Sequence, residues 1–162
     1  MTTTFSFERA TSLGASRTTV WAHASSMAGV NHELGPLLRM TYPPAFASLH
    51  PAQHRPGQRL FRSWILVAGV LPIEYDDLAL VQFHPGYRFL EQSSMGMIAV
   101  WQHQRVVSDT VDGCVVTDTI RFRPRLTWTG PLFLALYGLV FRHRHRRLQK
   151  LFGSSVVVSS GV

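Results

Sequence analysis

One dipeptide, Asp112-Gly113, restricts the fold more than any other feature of the chain. It separates two runs in which apolar and polar side chains alternate, at 97–109 and 114–123. A two-residue type I′ turn needs a positive φ at both central positions, and Asp-Gly adopts that conformation at low cost. The dipeptide therefore predicts a tight antiparallel hairpin in which Val111 lies opposite Cys114.

This register decides which side chains share a face, because successive side chains of a strand point to opposite sides of the sheet. The face that we expect to turn inward consists of Ala99, Trp101, His103, Arg105, Val107, Val116, Asp118, Ile120 and Phe122. Three of these residues are ionisable, and burial without a partner would be costly for each. The register makes Arg105 and Asp118 diagonal neighbours and predicts an ion pair with His103 beside it. Such a cluster is either a structural clamp or the floor of a ligand pocket.

The segment before this hairpin is rich in β-branched and aromatic residues and is interrupted by turn dipeptides such as Pro85-Gly86. Strands are predicted near 4–11, 59–70, 73–83, 87–94, 97–109 and 114–123. The connections within the segment are short, which predicts an antiparallel meander. With the first strand, the sheet would have about six strands, and the pattern excludes a parallel sheet.

Two short helices are predicted between the first strand and the rest of the sheet. Ser16 is a typical N-cap residue, and it precedes Val20, Trp21 and Ala24 at helical spacing. A second helix is expected from Met27 to Leu34, where Gly35-Pro36 ends it. Together with the strands, these helices predict the α+β class.

A long helix is predicted from Gly130-Pro131 to about Phe152, since proline suits the first helical turn. At a helical spacing, one side carries Phe133, Leu136, Tyr137, Val140, Leu148 and Leu151, and the opposite side carries Arg142, His145 and Arg146. Arg144 falls inside the apolar stripe, so it either reaches out to solvent or points inward toward an acidic ligand group. The apolar run 132–141 is about half as long as a membrane crossing, which favours a core helix.

The segment 36–57 is predicted to be a long loop, and it holds five of the nine prolines. It also carries Tyr42, Phe46 and Leu49. Long loops inside compact domains are uncommon and are often functional. We expect these apolar side chains to cover either the core or the mouth of a cavity.

The net charge of +7 raises the question of an anionic partner. Five of the excess positive charges come from one stretch, which comprises Arg142, Arg144, Arg146, Arg147 and Lys150. Cations near the C-terminal end of a helix are stabilised by the helix dipole, so the stretch is explained as a solvated helix end. Contact with an anionic membrane surface or with nucleic acid is the weaker alternative.

Cys114 is the single cysteine, so the chain cannot form an intrachain disulfide. The first residues do not combine a basic start with an apolar run, and we therefore expect a reduced, cytoplasmic protein. No histidine lies near Cys114 in the sequence or in the predicted register, which argues against a catalytic thiol. His50 and His54 have a spacing that can hold a metal on a helix, but the neighbouring prolines argue against that helix.

The order of one strand, two short helices, an antiparallel meander and a long helix resembles the START/Bet v 1-like helix-grip fold of the SRPBCC (polyketide cyclase-like) superfamily. The segment 15–21 (ASRTTVW) is similar to that family's opening motif, a small residue followed by Val-Trp on the first helix. An uncharacterised branch tends to show F-x-D-x-Q-x-x-G, then W-x-H, then D and P; the matching residues are Phe89, Glu91, Ser93, Gly96, Trp101, His103, Asp118 and Pro124. Glu91 and Ser93 replace the Asp and Gln of that pattern, and the resemblance spans residues 5–152.

The resemblance implies a curved sheet wrapped around the C-terminal helix, with an apolar cavity whose mouth lies near the short helices and the long loop. It implies no metal and no dedicated cofactor. The expected ligand-binding residues are Phe89, Glu91, Trp101, His103, Arg105, Asp118, Phe122, Tyr137 and Arg144.

On this basis we expect one domain over residues 1–152, followed by a flexible tail at 153–162. The expected function is the binding or carriage of a small hydrophobic molecule by a monomer or homodimer. The alternative is a cyclase or dehydratase that uses His103 with Asp118 on a carbonyl substrate. The weaker alternative remains a membrane or nucleic-acid contact through the basic stretch.

Overall fold

The computed structural model describes residues 3–50, 52 and 55–155. His54 and most of the expected tail, residues 156–162, lie outside the described residues. The helices and strands follow in the order β1 (Phe5–Leu13), α1 (Arg17–Ala24), α2 (Met27–Leu34), β2 (Leu38–Met40), β3 (Arg59–Val67), β4 (Leu71–His84), β5 (Arg88–Met95), β6 (Ile98–Thr110), β7 (Gly113–Pro124) and α3 (Gly130–Phe152). Within the described residues, 3₁₀ turns include Pro44–Phe46 and Thr127–Thr129.

The strands form one antiparallel sheet of seven strands in the order β1-β7-β6-β5-β4-β3-β2. The predicted meander and the α+β class are confirmed, and α3 packs against the sheet beside β1. The additional strand is β2, which lies inside the predicted loop. Asn31 holds it in place, because its side-chain amide donates to the Met40 carbonyl at 2.9 Å and its Oδ1 accepts from the Met40 N–H at 2.7 Å.

Both short helices begin where the sequence predicts. The Ser16 hydroxyl accepts the Thr19 N–H at 3.2 Å, and the Ser26 hydroxyl accepts the Gly29 N–H at 3.0 Å. These contacts satisfy N–H groups that the first turn of a helix leaves free. Gly35 ends α2, in agreement with the predicted boundary.

The hairpin register differs from the predicted one by two residues. Thr110 pairs with Gly113, so Val111 and Asp112 form the turn. Gly113 has a φ of 152°, whereas Asp112 is not among the described residues with positive φ, so the predicted type I′ turn is wrong. An even shift leaves every side chain on its predicted face, but it places Arg105 directly opposite Asp118 instead of diagonal to it.

Gly113 lies in the strand because the backbone of β1 passes close to it. A Cβ atom at this position would collide with the carbonyl oxygen of Leu13. We expect Gly113→Ala to destabilise the protein by more than the roughly 1–3 kcal/mol that a strained φ alone costs. Gly86→Ala is the matched control, since Gly86 also has a positive φ but open space around its Cα. Urea unfolding should show the larger loss for Gly113→Ala, and equal losses would contradict the proposed collision.

The long helix α3 has the predicted ends, but its buried side is rotated relative to the prediction. Phe141, Arg144, His145 and Leu148 are buried at i, i+3, i+4 and i+7 spacing, whereas His145 was expected on the solvent side. Leu136 and Leu151, both expected inside, are about half exposed. Burial of His145 is tolerated because its side chain has a carboxylate partner, described below.

The described residues contain no helix that is long and apolar enough to cross a membrane.

The core of the described part of the chain consists of two apolar clusters. One surrounds Trp21 and Leu80 between the short helices and the sheet. The other surrounds Trp101 and Phe141 between the sheet and α3.

Candidate functional site

Arg105 is the centre of a buried network of charged side chains. Its guanidinium donates to both oxygens of Asp118, from Nε at 2.7 Å and from one terminal nitrogen at 2.7 Å. It also donates to both oxygens of Glu33, at 2.8 and 2.9 Å. All three residues have no exposed surface. Arginine suits this position because its planar donors match two carboxylates at once.

Two histidines and a second arginine complete the network. The Nε2 atoms of His103 and His145 lie 2.8 and 2.9 Å from the two oxygens of Asp118. An ionised carboxylate only accepts hydrogen bonds, so both Nε2 atoms carry the proton and donate it. Arg144 donates from Nε to Glu33 at 2.9 Å. The network therefore ties together α2, β6, β7 and α3.

The charges of the network keep its carboxylates ionised despite their burial. Burial alone would raise the pKa of Glu33, but the charges of Arg105 and Arg144 outweigh it and lower that pKa to about 2. Burial also opposes ionisation of Asp118, yet Arg105 and His103 hold the pKa of this carboxyl well below its ordinary value. The same two carboxylates raise the pKa of Arg105 against the effect of its burial.

Acidification is expected to destabilise the protein because Glu33 must then accept a proton. Its folded-state pKa of about 2 lies below its ordinary value of 4.5. The stabilisation is therefore complete above about pH 4.5 and is lost as the pH falls toward 2. For this group alone the loss is about 3 kcal/mol. Urea unfolding over a series of acidic buffers should show this decline, and a constant free energy of unfolding over that window would contradict it.

A pocket of about 490 Å³ lies between the sheet and α3, next to this network. Most of its wall is apolar, and its polar residues come from β4, β5, β6 and α3. The lining residues are Leu34, Leu37, Leu38, Met40, Ile65, Val67, Ile73, Glu74, Asp76, Glu91, Met95, Met97, Trp101, His103, Phe133, Leu136, Tyr137, Leu139, Val140, Phe141 and Arg144.

Five of the nine predicted ligand-binding residues line this pocket, namely Glu91, Trp101, His103, Tyr137 and Arg144. The other four do not. Arg105 and Asp118 lie behind His103 in the network. Phe122 stacks on Phe5, with ring centroids 5.6 Å apart, and Phe89 packs toward Trp21 in the other core cluster. All four side chains lie on the inward face of the sheet. They do not line the pocket because α3 and the network divide the space over that face.

His103 connects the pocket to the network. Its Nε2 contacts Asp118, and its Nδ1 lies 3.6 Å from Oε2 of Glu91. Glu91 also accepts a hydrogen bond from the Ser93 hydroxyl at 2.6 Å. Burial would raise the pKa of Glu91, but the hydrogen bond and charge of His103 outweigh it, so the pKa is lowered.

Arg144 points inward, which settles the two alternatives for its side chain. Its guanidinium binds Glu33 and lies 4.9 Å from the centre of the Phe141 ring. The charge is therefore already neutralised by a protein carboxylate, which argues against the predicted contact with an acidic ligand group.

Three acidic residues of the site were not predicted from the sequence: Glu33 in the network, and Glu74 and Asp76 in the pocket wall. The last two carried a usable signal, because they alternate with Leu78 and Leu80 along β4 and all four are buried. For Glu33 the sequence offered only an indirect signal. A buried Arg105 with two possible histidine neighbours requires further negative charge.

Asp76 lies beside Glu91 and differs from the other carboxyls in its electrostatics. It is 3% exposed, and its Oδ1 has no hydrogen-bond partner among the residues that the structure describes. Burial, followed by the charge of Glu91, raises its pKa well above the ordinary value. Burial and the negative charge of Glu91 therefore favour the neutral form of Asp76.

Cys114 is buried, and burial raises the pKa of its thiol, which agrees with the argument against a catalytic thiol.

The residues of the basic stretch of α3 differ in their exposure to solvent. Arg142 and Arg146 are exposed, while Arg147 donates to the His32 carbonyl at 3.1 Å.

Solved structures with the same fold cover nearly the whole chain. The Zhui aromatase/cyclase from Streptomyces sp. R1128 has a TM-score of 0.71 at 9% identity, over 99% of this chain and 100% of that one. Protein CV1439 from Chromobacterium violaceum has a TM-score of 0.67 at 13% identity, over 94% and 99% of the two chains. A START superfamily protein from Mycobacterium smegmatis has a TM-score of 0.61 at 10% identity, over 92% and 96%. The expected START/Bet v 1-like helix-grip fold is thereby confirmed.

No curated protein matches the sequence significantly. One family model does match, over residues 11–152, which include every helix and all of the sheet except most of β1. The chain therefore belongs to the family described as a domain of unknown function, DUF8410.

Proposed function

We propose that this protein binds or carries a small hydrophobic molecule in the pocket between the sheet and α3. The observation that carries the proposal is the pocket itself, because about 490 Å³ lined by mainly apolar side chains is typical of a small-molecule site. Its few polar groups would orient a ligand, and the buried network holds two of them, His103 and Arg144, in place.

The state of the polar groups supports binding in preference to catalysis. Both ring nitrogens of His103 face protein carboxylates, Asp118 on one side and Glu91 on the other. A general base needs a free nitrogen within hydrogen-bond distance of the substrate proton. Arg144 is likewise held by Glu33. These side chains are positioned as a rigid wall.

A cyclase or dehydratase is the second candidate function, and the position of His103 is what favours it. His103 lines the pocket and is oriented by Asp118, an arrangement that can support proton transfer when the imidazole reaches a carbonyl substrate. One structure of the same fold is described as an aromatase/cyclase. This function would require Nδ1 of His103 to exchange Glu91 for the substrate.

The binding proposal is tested with prodan, a small naphthalene dye whose emission shifts in apolar surroundings. The wild-type protein is expected to bind it, and Leu136→Trp, which narrows the pocket, should weaken binding by about tenfold or more, or about 1.4 kcal/mol. Leu151→Trp is the matched control, since Leu151 is equally exposed on the same helix but does not line the pocket. Absence of binding to the wild type, or equal binding by both variants, would overturn the proposal.

The second candidate is tested with His103→Gln, which keeps a donor for Asp118 but cannot transfer a proton. Turnover of a polyketide-like carbonyl substrate that disappears in this variant, while prodan binding and unfolding remain near wild type, would support the cyclase. Turnover that survives the substitution would exclude the role of His103.

A further inference from the structure

Among the described residues, one buried side-chain oxygen of the pocket wall has no hydrogen-bond partner in the protein. Oδ1 of Asp76 is buried and has no hydrogen-bond partner within the described part of the chain. A buried acceptor without a donor costs about 1–3 kcal/mol. A native protein rarely retains such an atom unless something else supplies the missing bond.

The other charged groups of the pocket wall already have partners. Glu74 accepts the N–H groups of Gly96 and Met97, both at 2.8 Å. His103 and Arg144 are held by Asp118 and Glu33. The unmet requirement of the pocket wall is therefore for a donor, and Asp76 is where that donor would bind.

We propose that Asp76, paired with Glu91, is the polar anchor of the pocket and selects hydrophobic ligands that carry a hydrogen-bond donor, a hydroxyl or a protonated amine. The inference rests on the proposed function, since it concerns the same pocket. An ether of similar shape leaves Oδ1 unpaired. A carboxylate ligand adds a further negative charge beside Glu91. Both classes are therefore expected to bind more weakly than an alcohol of similar shape.

Specificity of this kind is expected to be strong because the missing bond is buried. A site built to hydrogen-bond a hydroxyl discriminates sharply against an analogue that lacks it, since a buried polar group is then left unpaired. The apolar wall contributes affinity but not this discrimination, because it contacts the hydrocarbon of every analogue alike.

The titratable groups around Asp76 allow the two donor classes to be distinguished. Glu91 on β5 and Asp77 on β4 act on its charge, His103 on β6 acts on Glu91, and Tyr137 on α3 is itself influenced by Asp76. A hydroxyl can donate to Oδ1 while Asp76 keeps its proton. An ammonium group replaces that proton, so its binding releases a proton and strengthens as the pH rises. The affinity of an alcohol should change little.

The experiment measures displacement of bound prodan, which has no hydrogen-bond donor, by 1-decanol, decyl methyl ether, decylamine and decanoate. The decisive quantity is the ratio of the decanol and ether affinities. This ratio is expected to fall about tenfold in Asp76→Leu, which corresponds to about 1.4 kcal/mol. Asp76→Asn retains an acceptor and should keep the ratio. Asp77→Leu is the control, because Asp77 turns to the other face and binds Arg62.

The outcomes separate this inference from the proposed function. Prodan binding by the wild type with the same ratio in Asp76→Leu overturns the donor preference and leaves the binding function intact. No prodan binding overturns both. If Asp76→Leu does not fold, Asp76→Asn decides the matter with decylamine. That variant has no proton to release, so the rise in decylamine affinity with pH should disappear, and a rise equal to that of the wild type would overturn the inference.

Discussion

Arg105→Met is expected to lower the free energy of unfolding by about 3–5 kcal/mol, because it leaves two buried carboxylates without their principal partner. Glu33 and Asp118 each receive two hydrogen bonds from Arg105, and neither has exposed surface. A typical domain is stable by only about 5–15 kcal/mol. The variant should therefore be marginally folded or unfolded at room temperature, as circular dichroism and urea unfolding would show.

The control is Arg146→Met, which removes an arginine from an exposed position on α3. It should leave the unfolding curve nearly unchanged. A second comparison separates the charge from the shape of the network. Replacing Glu33, Arg105, Asp118 and Arg144 together by apolar residues of similar size should recover part of the stability, because no buried arginine or carboxylate of the network is then left without a partner. A small effect of Arg105→Met alone would contradict the clamp.

Trp101→Ala is expected to lower the free energy of unfolding by about 3–5 kcal/mol, the range for loss of a large aromatic side chain from a core. Trp101 is 7% exposed. Its ring lies 4.8 Å from that of Tyr137 and 6.5 Å from those of Phe122 and Phe141. The substitution removes one of the contacts through which β6 packs against α3, and it merges a new void with the pocket.

Trp128→Ala provides the comparison for this prediction, since Trp128 is 77% exposed in the turn before α3. It should leave the midpoint of thermal unfolding almost unchanged. Equal shifts in the two variants would mean that Trp101 is not part of the packed core.

Sequence periodicity was sufficient for the inward face of the hairpin. Trp101, His103, Arg105 and Asp118 are all buried as the alternation predicts, even though the register is displaced by two residues. The face depends only on whether the displacement is odd or even. The register itself depends on where the turn forms, and the approach of β1 to Gly113 contributes to that choice.

Helix ends were also predictable, because capping depends on residues within one turn of each other. The buried side of α3 was not predictable in this way. His145 is polar, and a helical projection therefore assigns it to solvent. It is buried because Asp118 accepts a hydrogen bond from the Nε2 atom of His145 at 2.9 Å. The strand β2 was missed for a similar reason, since its backbone is held by Asn31 from another element.

The sequence by itself determined the order of elements, the antiparallel meander and the face that carries the ionisable cluster, because each follows from interactions between near neighbours. Only the tertiary structure decided the partners within that cluster. Glu33 reaches Arg105 across 72 positions of the chain, and Asp76 meets Glu91 through the packing of β4 against β5. Compensation of buried charge depends on distances between remote residues. The folded chain sets those distances, and they cannot be predicted from local sequence patterns.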